Sequence, residues 1–184
     1  MADIVVVNKV DSALREAVEE VVAATHQLAP DAVVVRAESP VSLDSGESLA
    51  GKRVLVIEDG PTLTHGGMPF GAGTVAARAA GAAEIVDPRP FAVGSIADTY
   101  RTYPETGAVL PAMGYGGAQL ADLEATIRAT PCDVVVSGTP MDLGRIIAVD
   151  QPLRRATYAL KEIGSPNLAE LLSPHIASWG GAGG

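Results

Sequence analysis

Aromatic residues are almost missing from this chain: two Phe, four Tyr and one Trp in 184 residues, although 47% of the sequence is hydrophobic. A core without rings must be built from Val, Ile, Leu and Ala. That is the composition of parallel strands covered by Ala-rich helices. Cysteine is nearly absent too. Cys132 stands alone, which excludes a disulfide framework, and it has no Cys or His at metal-ligand spacing. Basic residues are few, 13 Lys and Arg against 22 Asp and Glu, for a net charge of −9. No basic stripe exists to neutralise phosphates, so nucleic acid is not an expected partner. Neither a signal peptide nor an apolar run of membrane length is present. The expectation is a cytoplasmic protein with no membrane partner.

A further absence emerges beside the clearest motif. The first hydrophobic run, Ile4-Val5-Val6-Val7, ends in Asn8-Lys9-Val10-Asp11. In P-loop GTPases an Asn-Lys-x-Asp tetrad at a strand end holds guanine. The Asp accepts from the ring N–H and the exocyclic amine, a donor pair adenine does not offer, so the wrong base leaves it unpaired. The Lys stem packs on the base and the Asn ties neighbouring loops together. The carboxyl edge of an open α/β sheet is where such ligands bind. Ser12 is placed to cap the helix that follows. A GTPase also needs a loop of the form G-x-x-x-x-G-K-[ST] to cradle phosphate. The nearest match, Gly46-Glu47-Ser48-Leu49-Ala50-Gly51-Lys52, fails. Arg53 replaces the Mg²⁺-binding hydroxyl, and the segment enters a strand where a phosphate loop must leave one.

Hydrophobic periodicity alternates strand and helix. Strands are expected at 3–7, 32–36, 53–58, 84–87, 109–112, 133–137 and 154–160. Helices are expected at 12–28, 71–80, 96–103 and 117–129, with a helical turn at 142–146 and a helical tail at 167–176. Residues 180–184 are expected to be loose. The pattern predicts an α/β fold: a mostly parallel, Rossmann-like sheet covered by helices on both faces. Composition divides it into residues 1–50, resembling the end of a P-loop domain, an α/β domain over 51–165, and a tail over 166–184. Two strands are too few for an independent domain, so the first segment must complete a sheet supplied elsewhere or lean on the second.

Polar residues cluster at the strand ends. Glu58-Asp59-Gly60-Pro61-Thr62-Leu63-Thr64-His65-Gly66-Gly67 offers carboxylates, hydroxyls and an imidazole in a long loop, a kind that often carries function. The helix start at Gly71 and Gly73 would turn unpaired N–H groups toward that loop, an anion site in outline. Gly71-Ala72-Gly73-Thr74-Val75-Ala76 mimics a dinucleotide fingerprint. Its glycines lie about a dozen residues beyond the strand, however, instead of in a tight turn against it. Arg89, in Asp87-Pro88-Arg89-Pro90, could fork onto phosphate or brace a rigid turn against Asp87. Thr139 and Arg145 follow the next buried strand. Together these predict an anion site of Thr62, Gly71, Gly73, Arg89, Thr139 and Arg145. His65 and Asp59 are its candidate catalytic groups, an imidazole and a carboxylate being side chains able to act as general acid or base. No metal ligands are assigned.

Several blocks resemble the cyclic 2,3-diphosphoglycerate synthetase-like family of P-loop GTPases. They are Asn8-Lys9-Val10-Asp11-Ser12-Ala13, the stretch 51–68, Glu84-Ile85-Val86-Asp87-Pro88-Arg89-Pro90, and Val109-Leu110-Pro111-Ala112-Met113-Gly114-Tyr115. The similarity runs to about Ile163, and family members are longer. The resemblance implies the carboxyl-terminal half of such a protein, inactive without a P-loop half. It implies Asn8, Lys9 and Asp11 as nucleotide-binding residues, GTP or ATP with Mg²⁺ as cofactor, and closure of a phosphoanhydride as the family's named reaction. Expected partners are the P-loop half, a small phosphorylated metabolite and further copies of the chain. The alternatives are a stand-alone enzyme acting on a small phosphorylated metabolite, and a non-catalytic oligomerisation or regulatory module.

Overall fold

A computed structural model describes residues 2–44, 46–66 and 69–180. Gly67 and Met68 of the long polar loop, and the end of the tail at 181–184, lie outside the described residues. The chain opens with β1 (Ile4–Val7), α1 (Arg15–Leu28), β2 (Val33–Glu38), β3 (Val41–Leu43) and β4 (Arg53–Asp59). Then come α2 (Gly60–Thr64), α3 (Ala72–Ala79), β5 (Glu84–Ile85), α4 (Gly94–Thr102), β6 (Leu110–Ala112) and α5 (Gly117–Ala129). β7 (Val134–Gly138), β8 (Leu153–Tyr158), β9 (Lys161–Ile163) and α6 (Leu168–Gly180) close the chain, with 3-10 turns at Arg89–Phe91 and Leu143–Arg145. No helix among the described residues is long and apolar enough to cross a membrane.

Two compact units result. One is Met1–Pro40 with Tyr158–Gly184, the other Val41–Thr157. These limits differ from the divisions at 50 and 165 that composition suggests. The reason is pairing between distant segments. β3, where the periodicity predicts no strand, joins the sheet of the second unit beside β8. β9, not anticipated, turns back to pair antiparallel with β2, matching Glu38 with Lys161. Their side chains form a cross-strand ion pair at 2.8 Å.

In the first unit the sheet order is β1-β2-β9, with β1 and β2 parallel and Ile4 opposite Val33. α1 packs against β1 and starts later than expected. Ser12 does not cap it: the N-cap is Leu14, which makes no side-chain cap bond. Lys9 takes a left-handed conformation at φ 62°. Its carbonyl accepts from the N–H groups of Ser12 and Ala13 and from the Ser12 hydroxyl, so these residues close a turn before the helix begins. The tail helix has a capping box: Glu170 N–H donates to Asn167 Oδ1 at 2.8 Å, and Asn167 N–H donates to Glu170 Oε2 at 3.1 Å.

The second unit is the Rossmann-like three-layer part. β4 is its centre, parallel to β7 on one side and to β5 and β6 on the other. β8 continues the parallel run beyond β7. β4 is buried continuously from Val54 to Glu58, as a strand covered on both faces must be. The period of two sorts its residues. Leu55, Ile57 and Val135 share one core with Ile96, Leu110, Leu123, Ile127 and Leu143. Val54, Val56, Val134 and Val136 share the other with Leu49, Leu63, Ala77 and Val109. α4 and α5 pack together on the first face, and α3 lies on the second. Leu110 is fully buried. Leu110→Ala should therefore destabilise this unit by about 2–5 kcal/mol, read from urea unfolding. Leu28→Ala, at a position 78% exposed, should stay within about 0.5 kcal/mol of wild type.

Candidate functional site

Because β4, β5, β6, β7 and β8 are parallel, their carboxyl ends open on one edge. From β4 the chain moves to β5 and β6 on one side, then crosses back to β7 on the other. The switch point lies between β4 and β7, where an α/β sheet parts its loops and forms a crevice. Glu58, Asp59, Ser137, Gly138 and Thr139 are the residues at that point, with Glu58 directly opposite Gly138.

Glu58 is only 1% exposed. Its side chain falls on the α3 face, and its carboxylate takes four hydrogen bonds from the start of that helix. Oε1 accepts from Gly71 N–H at 3.0 Å, Thr74 N–H at 2.7 Å and the Thr74 hydroxyl at 2.8 Å. Oε2 accepts from Gly73 N–H at 3.1 Å. The N–H groups of Gly71 and Gly73, read from sequence as donors to an outside anion, thus serve a carboxylate of the protein itself. A carboxylate suits this place, because the first N–H groups of a helix lack partners and its amino end is positive. The fit also requires two glycines. A Cβ on Gly138 would collide with Glu58 Oε2 and Gly73 N, and one on Gly73 would press on Val56 and on Gly138 N.

Asp59 lies one residue on, at the end of β4. It caps α2: Oδ2 accepts from Thr62 N–H at 3.3 Å and from the Thr62 hydroxyl at 2.9 Å. Thr62 is therefore drawn to Asp59. Thr139 is buried, within 3.2 Å of the Ser137 hydroxyl, and donates to the Met141 carbonyl at 2.9 Å. These residues share the crevice edge.

The remaining candidates are engaged elsewhere. His65 is exposed, and its Nδ1 pairs with the Thr64 hydroxyl at 2.9 Å. Arg145 pairs with Asp142 at 3.2 Å and is highly exposed. Arg89 is held by Asp87 through Nε and Nη2, the latter at 2.7 Å. The bracing alternative describes this geometry. Val86 N–H still pairs with Val54 at the beginning of β4. Asp59 ends that strand roughly 15 Å further along, at about 3.3 Å per residue. Beside this pair, burial and then the Asp87 charge push the Tyr100 hydroxyl far above the ordinary phenol range. The hydroxyl donates to Val109 O at 2.7 Å.

Sequence reading missed one residue at the edge. Arg155 on β8 lies opposite Ser137 on β7. Its guanidinium donates to the Pro140 carbonyl at 2.7 Å and, among the described residues, has no carboxylate partner. The available signal was weak: alternation along 154–160 marks the strand, but only the sheet order brings Arg155 beside Thr139.

In the first unit Asn8, Lys9 and Asp11 are exposed at the carboxyl end of β1. Asn8 Oδ1 accepts from Lys9 N–H at 2.8 Å. Asp11 Oδ1 accepts from Ser39 N–H at 3.1 Å, tying the motif to the end of β2. A small cavity lined by Ala2, Asp3, Ala29, Pro30, Asp31 and Ala32 lies at the opposite end of β1. Among the described residues no three His, Cys, Asp or Glu side chains group closely enough to hold a metal ion.

Two outcomes follow from this geometry. Gly138→Ala should cost about 1–3 kcal/mol by overpacking the buried Glu58 carboxylate and the Gly73 backbone, read from urea unfolding of the second unit. The second outcome concerns pH. The Arg89 side chain, then its backbone N–H, holds Asp87 below the ordinary carboxylate range against the opposing effect of burial. Its folded pKa is the lower one, so its stabilisation is complete above the unfolded value of about 3.9. That stabilisation is lost as pH falls through the folded value. Asp87→Asn should flatten the acid limb of the stability–pH curve, and NMR titration of Asp87 gives the same midpoint directly.

No protein-family model matches this chain. It is 52% identical over 171 residues to a protein of Thermococcus kodakarensis named Arginine synthetase ArcE. The match takes in 93% of this chain and 38% of that protein, so the chain spans about two-fifths of the length of the curated relative it matches. It is a close homologue of one stretch of a larger protein.

Proposed function

We propose that this chain is the carboxyl-terminal part of a larger nucleotide-driven synthetase. On this reading it contributes guanine-type base recognition from Asn8, Lys9 and Asp11, and an amino-acid site at the crevice edge of the second unit. The observation that carries the reading is the match of 93% of the chain, at 52% identity, to one stretch of a protein named for making arginine. The resemblance to cyclic 2,3-diphosphoglycerate synthetases points to the same class of energy-coupled bond formation. Nucleotide phosphates and Mg²⁺ would be held by a phosphate-cradling loop in another part of the protein, since the stretch 46–52 leads into β4.

The base site needs an acceptor at Asp11. In this structure one of its carboxylate oxygens holds the Ser39 N–H, which fixes the side chain in place. The crevice offers both signs of charge. Asp59 ends β4, and Arg155 lies two strands away on β8. Adjacent strands are about 4.8 Å apart, so the two positions are separated by a distance that an extended arginine can bridge. Arg155 would take the α-carboxylate through charge-assisted hydrogen bonds, and Asp59 the cationic end. The substrate side is therefore arginine or a close structural relative. The crevice residues Thr62 and Thr139 add hydroxyls, while His65, Arg89 and Arg145 would join only after leaving their present partners.

One titration series tests both halves. The chain, coexpressed with the region of the Thermococcus kodakarensis protein outside the match, is titrated with GTP, XTP, ATP and arginine. GTP should bind in preference to ATP, and Asp11→Asn should move the preference toward XTP by roughly 1.5–3 kcal/mol, the scale of a hydrogen bond to a charged group. Arg155→Ala should weaken arginine by a similar amount and leave GTP unchanged. Equal base preference in wild type and Asp11→Asn would make the tetrad purely structural. Arginine binding indifferent to Arg155 and Asp59 would remove the amino-acid site.

A further inference from the structure

β1 stands at the end of the first unit's sheet, paired on one side only. Its pairing with β2 is parallel, and Val33 N–H donates to the Asp3 carbonyl. In a parallel ladder alternate residues direct their backbone groups to the same side. The N–H groups of Val5 and Val7 therefore face β2, while the N–H and C=O groups of Ile4 and Val6 face outward. That bare edge carries four consecutive β-branched residues, with no charge, proline or bulge. Proteins guard a solvent-exposed edge with such devices, because an unguarded one pairs with any strand that reaches it.

The surrounding surface is also unfinished. Val6 is 37% exposed, although parallel strands of this composition are normally covered on both faces. Leu14, the N-cap of α1, is 76% exposed, and Val21 and Leu28 on the helix are exposed as well. Among the described residues the unit has three strands, one of them three residues long. The free edge leads straight into Asn8-Lys9-Val10-Asp11.

We propose that the outer edge of β1 receives a parallel strand from an α/β segment of the larger protein outside this chain. The exposed apolar residues beside the edge pack against the helix that accompanies that strand. The inference rests on the reading that the chain is part of a larger synthetase. The occupant is supported by that protein's length, of which this chain matches 38%. It is supported too by the parallel, all-aliphatic character of the edge. The incoming strand would continue the sheet beside the nucleotide motif, so its carboxyl end and that of β1 would open on the same side.

Proline distinguishes the outer edge from the inner. At Val6 it removes an outward N–H and should leave the isolated chain folded; at Val5 it removes a bond to β2. The test coexpresses this chain with the region of the Thermococcus kodakarensis protein outside the match, and follows complex formation by light scattering and amide exchange by mass spectrometry and NMR. The expected result is a 1:1 complex in which the Ile4 and Val6 amides exchange at least about tenfold more slowly than in the chain alone. Val6→Pro should abolish this complex while keeping the melting temperature of the free chain. Leu14→Ser provides a milder second variant that should weaken the complex without touching the backbone. A complex that leaves Ile4 and Val6 open, and tolerates both variants, would overturn the edge pairing while the larger-protein reading stands. Absence of any complex, or protection of β1 only by a second copy of this chain, would remove the edge pairing and that reading together.

Discussion

Glu58 occupies the place on which the second unit's geometry depends. It is a charged residue type at the end of a buried aliphatic strand, and burying a charge is unfavourable unless its hydrogen bonds are met. The amino end of α3 meets them, with three backbone N–H groups and the Thr74 hydroxyl. Both sides need this arrangement. Without the helix the carboxylate would have no partners, and without the carboxylate the first turn of α3 would hold unpaired donors in the interior. Gly73 and Gly138 let the two backbones meet, so α3 is fixed in position over β4 and β7.

The consequence reaches the crevice through a shift of one residue. Along β4 successive side chains alternate faces. With Glu58 committed to α3, Asp59 is left to cap α2 at the switch point. Glycine also allows the loop segments to lie close: a Cβ at Gly60 would strike Met113 and the Ala112 carbonyl at the end of β6. A helix start that resembles an anion-binding loop in sequence is thus a structural joint.

The first unit is organised differently. Its Asn8-Lys9-Val10-Asp11 tetrad is tied to β2 through Asp11 and Ser39, and β2 is tied to β9 through Glu38 and Lys161. The sheet is thus completed on one side by the chain's own return. On the other side it ends in bare backbone and exposed aliphatic side chains. The two edges therefore contrast: one carries a Lys-Glu pair, and the other carries only aliphatic residues.

Local pattern was enough to determine the strands and helices that form the core. The runs at β4 and β7 are continuously aliphatic and α5 has its apolar period, because each signal lies within a few residues. The position of Asn8-Lys9-Val10-Asp11 at a strand's carboxyl end was legible for the same reason. What tertiary structure decided was every relation between distant segments. Three-residue strands such as β3 and β9 have too few residues to show a period, and only their partners make them strands. Glu58 looked like one more polar residue in a loop until α3 was laid across it. For Arg89 the sequence left phosphate binding and a brace against Asp87 equally open, and the folded turn decided for the brace. Arg155 had no distinguishing neighbours in sequence; the order of strands, set by long-range burial of aliphatic side chains, placed it beside Thr139.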